Sequence, residues 1–432
     1  MKHAFKPLLL VSTLALVLSG CGESTSYDAG TGHDVSKNQP DTGTPTTPTD
    51  PSAPQFSEKQ LLVSLTDNVF TPTFNEFDSK SDALPSILSA YCDLEVKYDP
   101  SLQDGEVLAQ LTTAKLNAHN AWKEAMVSWQ HAELMIVGPL LENDKSLRND
   151  IYSWPNASTC SVDQDVVFFE NGTINGNAYD ISKRSDKRRG LDALEYLLFN
   201  DDLVHSCSST SAGEVLADWN TRPEQMRKAS RCRYAVEVSK DLSVSSDKLI
   251  AQWSGTSGYA SVLQNAGEAG NKFASTNKAI NEISDALFYM TEELKDYKLA
   301  TPLGLFNNEC GGITCPESVE SKYAKHSIEN IRANLNAFEL LFNGGGASNL
   351  GFDDFLDNQQ ASDTKTAMLQ GILNSKAASQ AITTSLQTAL ESNTATVTDT
   401  HAKVKDVTDQ LKNDFITKLA LELPATSAGD ND

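Results

Sequence analysis

The stretch "VLAQLTTAKLNAHNAWKEAMVSWQHAELMIVGPL", residues 107–140, restricts the fold more than any other part of the chain. Leu108, Leu111, Ala118, Trp122, Ala125, Trp129, Ala132 and Ile136 recur at separations of three, four and seven. That spacing sets one apolar stripe along a helix, and Gly138–Pro139 ends it. A second stripe, Ile328, Ile331, Leu335, Phe338 and Phe342 in "SIENIRANLNAFELLFNGGG", stops at three glycines. Comparable periodicity predicts helices over 57–77, 81–97, 186–200, 212–252, 271–297, 317–343, 362–393 and 397–422. The alternation expected of strands is not evident, so the fold class is all-α.

At 432 residues the chain is expected to be too long for one hydrophobic core and to divide into two domains or two halves of a pseudo-repeat. It is expected to form two pseudo-repeated, four-helix-type bundles, residues 56–245 and 246–432. "LDALEYLLFN" at Leu191 and "LNAFELLFNG" at Leu335 share a leucine, an Asp or Asn, an alanine, an apolar residue and a glutamate in the same order.

The N-terminus carries a different instruction. "MKHAFKPLLLVSTLALVLSGCGES" has a basic start, an apolar run from about Leu8 to Leu18 and then small residues ending at Cys21. This is an export signal over residues 1–20 rather than a folded segment. Leu18-Ser19-Gly20-Cys21 resembles a bacterial lipobox, which implies a lipid on Cys21 and anchoring to a membrane. Gly22 after the cysteine favours the outer membrane. The Ser-, Thr-, Gly-, Pro- and Asp-rich residues 21–55 read as a tether too poor in apolar groups to offset ordering entropy. The net charge of −23 argues against nucleic-acid binding and favours attraction of cations.

Six further cysteines, an even number in an exported chain, predict three disulfides. Proximity in sequence suggests Cys310–Cys315 and Cys207–Cys232, leaving Cys92–Cys160; fifteen pairings are formally open.

The chemistry centres on "RRGLDALEYLLFND", where Asp192 and Glu195, three residues apart, share a helix face. Their plainer explanations are ion pairs of Asp192 with Arg188 or Arg189, and a place for Glu195 at the rim of a core formed by Leu191, Leu194 and Leu198. Glu133, one turn beyond Trp129, is a carboxylate among aromatic residues that requires a partner such as a buried cation. His326 and Glu329 form the H-x-x-E of the second half and are expected to be an exposed pair. His119, His131, His205 and His401 have no clustering partners, and His33 lies in the tether. No H-E-x-x-H or G-x-S-x-G is present, so no catalytic residue is assigned.

Taken together, "GLDALEYLLF", "AWKEAMVSWQHAELMIVGPL", "RNDIYSWP", "DYKLATPLG" and "KYAKHSIENIRANLNAFELLFNG" resemble, in order, segments of the imelysin-like proteins. These are exported bacterial proteins associated with iron uptake and sometimes classed as M75 peptidases. Gly190 and Glu195 match the family's G-x-H-x-x-E, but Asp192 stands where the histidine should be. The resemblance implies a two-bundle fold with a site between the bundles and Glu195, with Asp192 in the histidine's place, as metal residues; Glu133 joins them as a metal candidate from its place on the tryptophan helix. A carboxylate in place of imidazole shifts the preference toward iron or another hard divalent or trivalent ion. The expected function is an outer-membrane lipoprotein that binds a metal or metal chelate in iron acquisition, alongside an envelope transport protein. The alternatives are an M75-type metallopeptidase, or a docking lipoprotein whose site has degenerated.

Overall fold

The computed structural model describes residues 56–424. The expected signal peptide, the expected lipid attachment at Cys21 and the expected tether lie outside the described residues. α1 (Glu58–Leu65), a π-helical turn (Thr66–Phe70) and α2 (Thr71–Lys97) follow without a break, although two separate helices are expected there. Phe77 and Ser81, on either side of the expected break at 78–80, are both buried, so α2 packs one face straight through it.

The tryptophan stripe forms α3 (Gly105–Leu134), opened by Asp104 accepting from the Glu106 and Val107 amides. Trp122, Ala125, Trp129 and Ala132 are fully buried along it, whereas Leu108 at its start is exposed. α4 (Glu142–Ile151) and α5 (Thr159–Asn171), which the periodicity did not announce, lead through a two-strand hairpin (Thr173–Ile174 with Asn177–Ala178) to α6 (Gly190–Phe199).

α7 (Glu224–Trp253) lies along α2, which also packs on α3, and α6 leans on both α7 and α3. The expected boundary at 245/246 falls inside α7. α8 (Tyr259–Gln264) and α9 (Thr276–Leu287) precede a long π-helical segment (Met290–Ala300) that continues into α10 (Thr301–Leu303). α11 (Ser327–Phe342), the second apolar stripe, packs against α3 and α13 (Ser362–Ala381). α12 (Phe352–Asn358) sits between those two in sequence. α14 (Leu386–Ser392), α15 (Thr394–Gln410), a π-turn (Leu411–Phe415) and α16 (Ile416–Lys418) complete the body. α15 lies on α13 and on the π-helical segment. One continuous apolar core runs from Leu61 to Leu421, with α3 touching elements of both halves.

Two of the three expected disulfides are corrected. The bonds are Cys92–Cys232, Cys160–Cys207 and Cys310–Cys315; only the last is as expected. Proximity in sequence failed because α2 and α7, far apart along the chain, lie side by side and bring Cys92 to Cys232. Cys207, in the loop after α6, comes over the first turn of α5 and meets Cys160 there.

Candidate functional site

α6 is set in place by its first residues. Gly190 has φ +84°, a conformation that disfavours side chains, and a Cβ there would stand 2.6 Å from the carbonyl oxygen of Ile151. The motif glycine is therefore what allows the start of α6 to press against the end of α4. Arg189, just before it, is ion-paired with Asp150 and with Asp241 at 3.2 Å, tying α6 to α4 and α7. Trp122 Nε1 donates to the Leu191 carbonyl at 2.9 Å, fixing α6 on α3.

This contact brings the segment after α4 to Asp192. Its Oδ2 accepts from the Ser153 amide (3.1 Å) and hydroxyl (2.6 Å), and its Oδ1 from the Ala193 amide (2.9 Å). The expected pairing with neighbouring arginines is replaced: Arg188 goes to Asp165 at 2.6 Å and Arg189 to the two aspartates above. Glu195 is buried rather than placed at a rim, with 5% of its surface exposed. Its Oε1 accepts from the amides of Tyr323 (2.8 Å) and Ala324 (2.9 Å), in the segment leading to α11. Its Oε2 has neither hydrogen bond nor ion pair among the described residues.

Both carboxyls open onto a cleft of about 470 Å³ whose walls include Trp154, Tyr297 and Tyr323. Four carboxylates line it, Asp192, Glu195, Glu309 and Glu317, against one ammonium, Lys322. Lys322 reaches toward Glu317, at 3.9 Å. Burial raises the Glu195 carboxyl to about 8, helped by the charges of Glu320 and Asp192 and opposed by the two amides. Burial likewise raises Asp192 to about 6, against the hydrogen bonds from Ser153.

Glu133 is held elsewhere in the same polar interior. It is ion-paired with Arg148, accepts from the Tyr289 hydroxyl at 2.8 Å and lies 3.8 Å from Lys298. Lys298 also reaches Glu320 at 3.1 Å, and Glu320 Oε1 accepts from Tyr152 (2.8 Å) and Gln130 (3.1 Å). Arg148 and Lys298 thus serve Glu133 and Glu320. Among the described residues, no cation pairs with Asp192 or Glu195.

The three carboxylates expected to share a metal are not brought together. Glu133 is committed to its own cations, and both oxygens of Asp192 are in use. The one trio of potential ligands among the described residues with atoms within 4.8 Å is Asp78, Asp82 and Asp247, on α2 and α7 near solvent. A bare transition ion therefore does not fit the cleft, where Glu195 Oε2 is the sole carboxylate oxygen of the Asp192–Glu195 pair left without a partner.

His326 is corrected from exposed to buried. It packs edge-on against Trp122 with ring centroids 6.0 Å apart, and burial lowers its imidazole to about 4. Glu329 stays partly exposed, 3.8 Å from it. His119, without a clustering partner in sequence, is half-buried and stacks on Phe199 at 4.1 Å. Glu339, the repeat counterpart of Glu195, is ion-paired with Lys376 of α13 and takes no part in the cleft. A cavity of about 510 Å³ at the far end of α6 is lined by residues such as Leu111, Leu116 and Leu198. Its buried Glu95 is already met by Tyr91 and Gln225 at 3.1 Å each, so it lacks the unmatched charge of the acidic cleft.

Sequence reasoning missed Ser153, Tyr152, Arg148, Lys298 and Glu320. Ser153 and Arg148 lie within "RNDIYSWP", which drew attention as a motif; Glu320 has no local signal at all.

An almost wholly helical body with an acidic, partly aromatic cleft against the first turns of α6 defines the class of fold. The chain belongs to the imelysin family: the family model Imelysin (Peptidase M75) matches residues 89–413. An imelysin-like protein from Psychrobacter arcticum 273-4 superposes with a TM-score of 0.60 at 16% identity, covering 85% of this chain and 96% of that one. A protein named as an iron-regulated protein A precursor from Parabacteroides distasonis ATCC 8503 gives 0.61 at 17% identity, covering 86% and 98%. No curated protein matches.

Proposed function

We propose that the chain is an outer-membrane lipoprotein, anchored through Cys21, that captures a metal chelate in its acidic cleft as part of iron acquisition and passes it to an envelope transport protein. The observation that carries this reading is Glu195: a buried carboxylate lining a cleft of about 470 Å³, with one oxygen unpaired and no cation beside it. A positively charged occupant favours the ionised form of this carboxyl, which burial alone keeps protonated near neutral pH.

The chelate form follows from the donor count. An ion that kept its own ligands would need the cleft only for shape and charge, whereas a bare transition ion would need about three or more converging protein atoms. The cleft volume is in the usual range for small-ligand sites. The name of the Parabacteroides neighbour supports the iron side of the reading.

The test is calorimetric titration of the full chain in detergent with ferric tris-hydroxamates, ferric citrate, zinc and calcium. Binding of at least one ferric chelate, with zinc and calcium weaker, is the expected result. Absence of binding by every chelate would overturn it.

A further inference from the structure

Resting on the reading of the cleft as the ligand site, the geometry also points to which chemical group it selects. Glu195 Oε1 is saturated by two backbone amides, and both Asp192 oxygens accept protein donors. Glu195 Oε2 is the acceptor that remains, on a residue 95% buried by its 5% exposure, in the wall of the cleft. One free oxygen suits a donor rather than a coordination sphere.

The surroundings agree with a cationic donor. Carboxylates outnumber ammonium groups four to one in the lining, and Lys322 is turned toward Glu317. Trp154, Tyr297 and Tyr323 offer ring surface, which attracts organic cations and their apolar parts. Tyr297 and the neighbouring Phe306, Leu305 and Ile313 are exposed, so apolar surface lies close to the acidic floor. The Cys310–Cys315 bond and Asn308 hold this rim in shape: Asn308 donates to the Thr301 and Ile313 carbonyls at 2.9 and 2.8 Å and accepts from the Cys310 and Gly312 amides.

We infer that the cleft recognises a protonated nitrogen, an ammonium or guanidinium carried on the ligand, through charge-assisted hydrogen bonding to Glu195 Oε2, with the ligand's apolar part against Trp154, Tyr297 and Tyr323. The iron of a chelate then sits remote from the carboxylate, and the same site takes an organic cation that carries no metal.

The experiment compares matched probes on the full chain in detergent: a ferric tris-hydroxamate with a pendant primary amine against its N-acetylated form, and benzylammonium against benzyl alcohol. The amine-bearing member of each pair is expected to bind about tenfold more tightly or better, the size of one charge-assisted contact. Glu195→Gln, whose carbonyl still accepts from Tyr323 and Ala324, should abolish that preference. Glu339→Gln, paired with Lys376 outside the cleft, should leave it unchanged. Equal affinity within both pairs, or a preference that survives Glu195→Gln, overturns the inference. If neither chelate binds but benzylammonium outcompetes benzyl alcohol in a Glu195-dependent way, the iron reading fails and this one stands. If both chelates bind equally and benzylammonium shows no advantage, the reverse holds.

Discussion

Glu195 Oε1 accepts the Tyr323 amide at 2.8 Å, joining α6 to the segment that leads into α11 across 128 residues of sequence. The Ala324 amide adds a second bond at 2.9 Å, so one carboxylate fixes two walls of the cleft together. The wall-fixing contacts therefore use Oε1, and substitutions can separate them from the binding proposed for Oε2.

Glu195→Gln retains an acceptor for both amides and is neutral without taking up a proton on folding. Its stability should equal or exceed that of the parent. Glu195→Ala leaves two amides unpaired and a small cavity, at a cost of about 1–3 kcal/mol per buried unsatisfied group. Urea unfolding of both variants checks this; a glutamine variant as unstable as the alanine one would show that the charge, not the acceptor, holds the segment.

Stability should also depend on pH through the same group. The folded-state value of Glu195, about 8, lies above the ordinary 4.5, and that of Asp192, about 6, above 3.8. A raised carboxyl favours its protonated form in the fold, so this contribution is complete below the ordinary values and is lost as pH rises through the folded ones. Thermal midpoints of the ligand-free chain should accordingly fall between about pH 4 and 8, and Glu195→Gln should flatten the part of that fall near pH 6–8. A slope unchanged by the substitution would place the titration elsewhere.

Gly190 gives a sharper structural test. Alanine there would need φ near +84° and would meet the Ile151 carbonyl at 2.6 Å. Displacing α6 from α4 separates Asp192 from Ser153. Gly190→Ala should lose several kcal/mol of stability, or fail to fold, because a forced left-handed residue and a backbone clash each cost about 1–3 kcal/mol. Circular dichroism melting reads the outcome, with Gly172→Ala, a left-handed helix cap whose Cβ would meet no atom within 4 Å, as the comparison.

Local periodicity made the helical class and most long helices legible, because stripes such as Trp122–Trp129 depend only on neighbours along the chain. The i, i+3 spacing also singled out Asp192 and Glu195, while Gly190 was marked by the resemblance to the imelysin motif. What local periodicity could not supply was anything fixed by distant contacts. The Cys92–Cys232 bond needs α2 beside α7, and the partners of Asp192 and Glu195 come from Ser153 and the Tyr323–Ala324 backbone. Arginines one turn away looked like partners for Asp192, yet Asp165, Asp150 and Asp241 claim them from other elements. The short helices α4 and α5 lacked a long stripe, so they were invisible although they carry Arg148 and position Ser153.

The pairing of α2 with α7 by Cys92–Cys232 closes 140 residues of chain. A crosslink over so long a loop removes much unfolded-state entropy, so Cys92→Ser with Cys232→Ser should cost about 2–5 kcal/mol. Non-reducing peptide mapping should recover the 92–232 and 160–207 pairs, and recovery of 207–232 would contradict the arrangement of α5, α6 and α7.

Arg148 tests the polar interior. Its guanidinium pairs with Glu133 and donates to the Trp154 carbonyl at 3.2 Å, so it supports both the buried charge and the cleft wall that Trp154 forms. Arg148→Met preserves much of the volume but leaves Glu133 with Lys298 at 3.8 Å as its remaining cation, while Lys298 is already shared with Glu320. Removing one partner of a buried pair costs about 3–5 kcal/mol, chiefly from the charge left behind. Adding Glu133→Gln to Arg148→Met should recover a large part of that loss in urea unfolding, since the stranded carboxylate is then gone. If the double variant is no more stable than Arg148→Met alone, the cost arises from lost packing and the Trp154 contact, and the Glu133 pair contributes little.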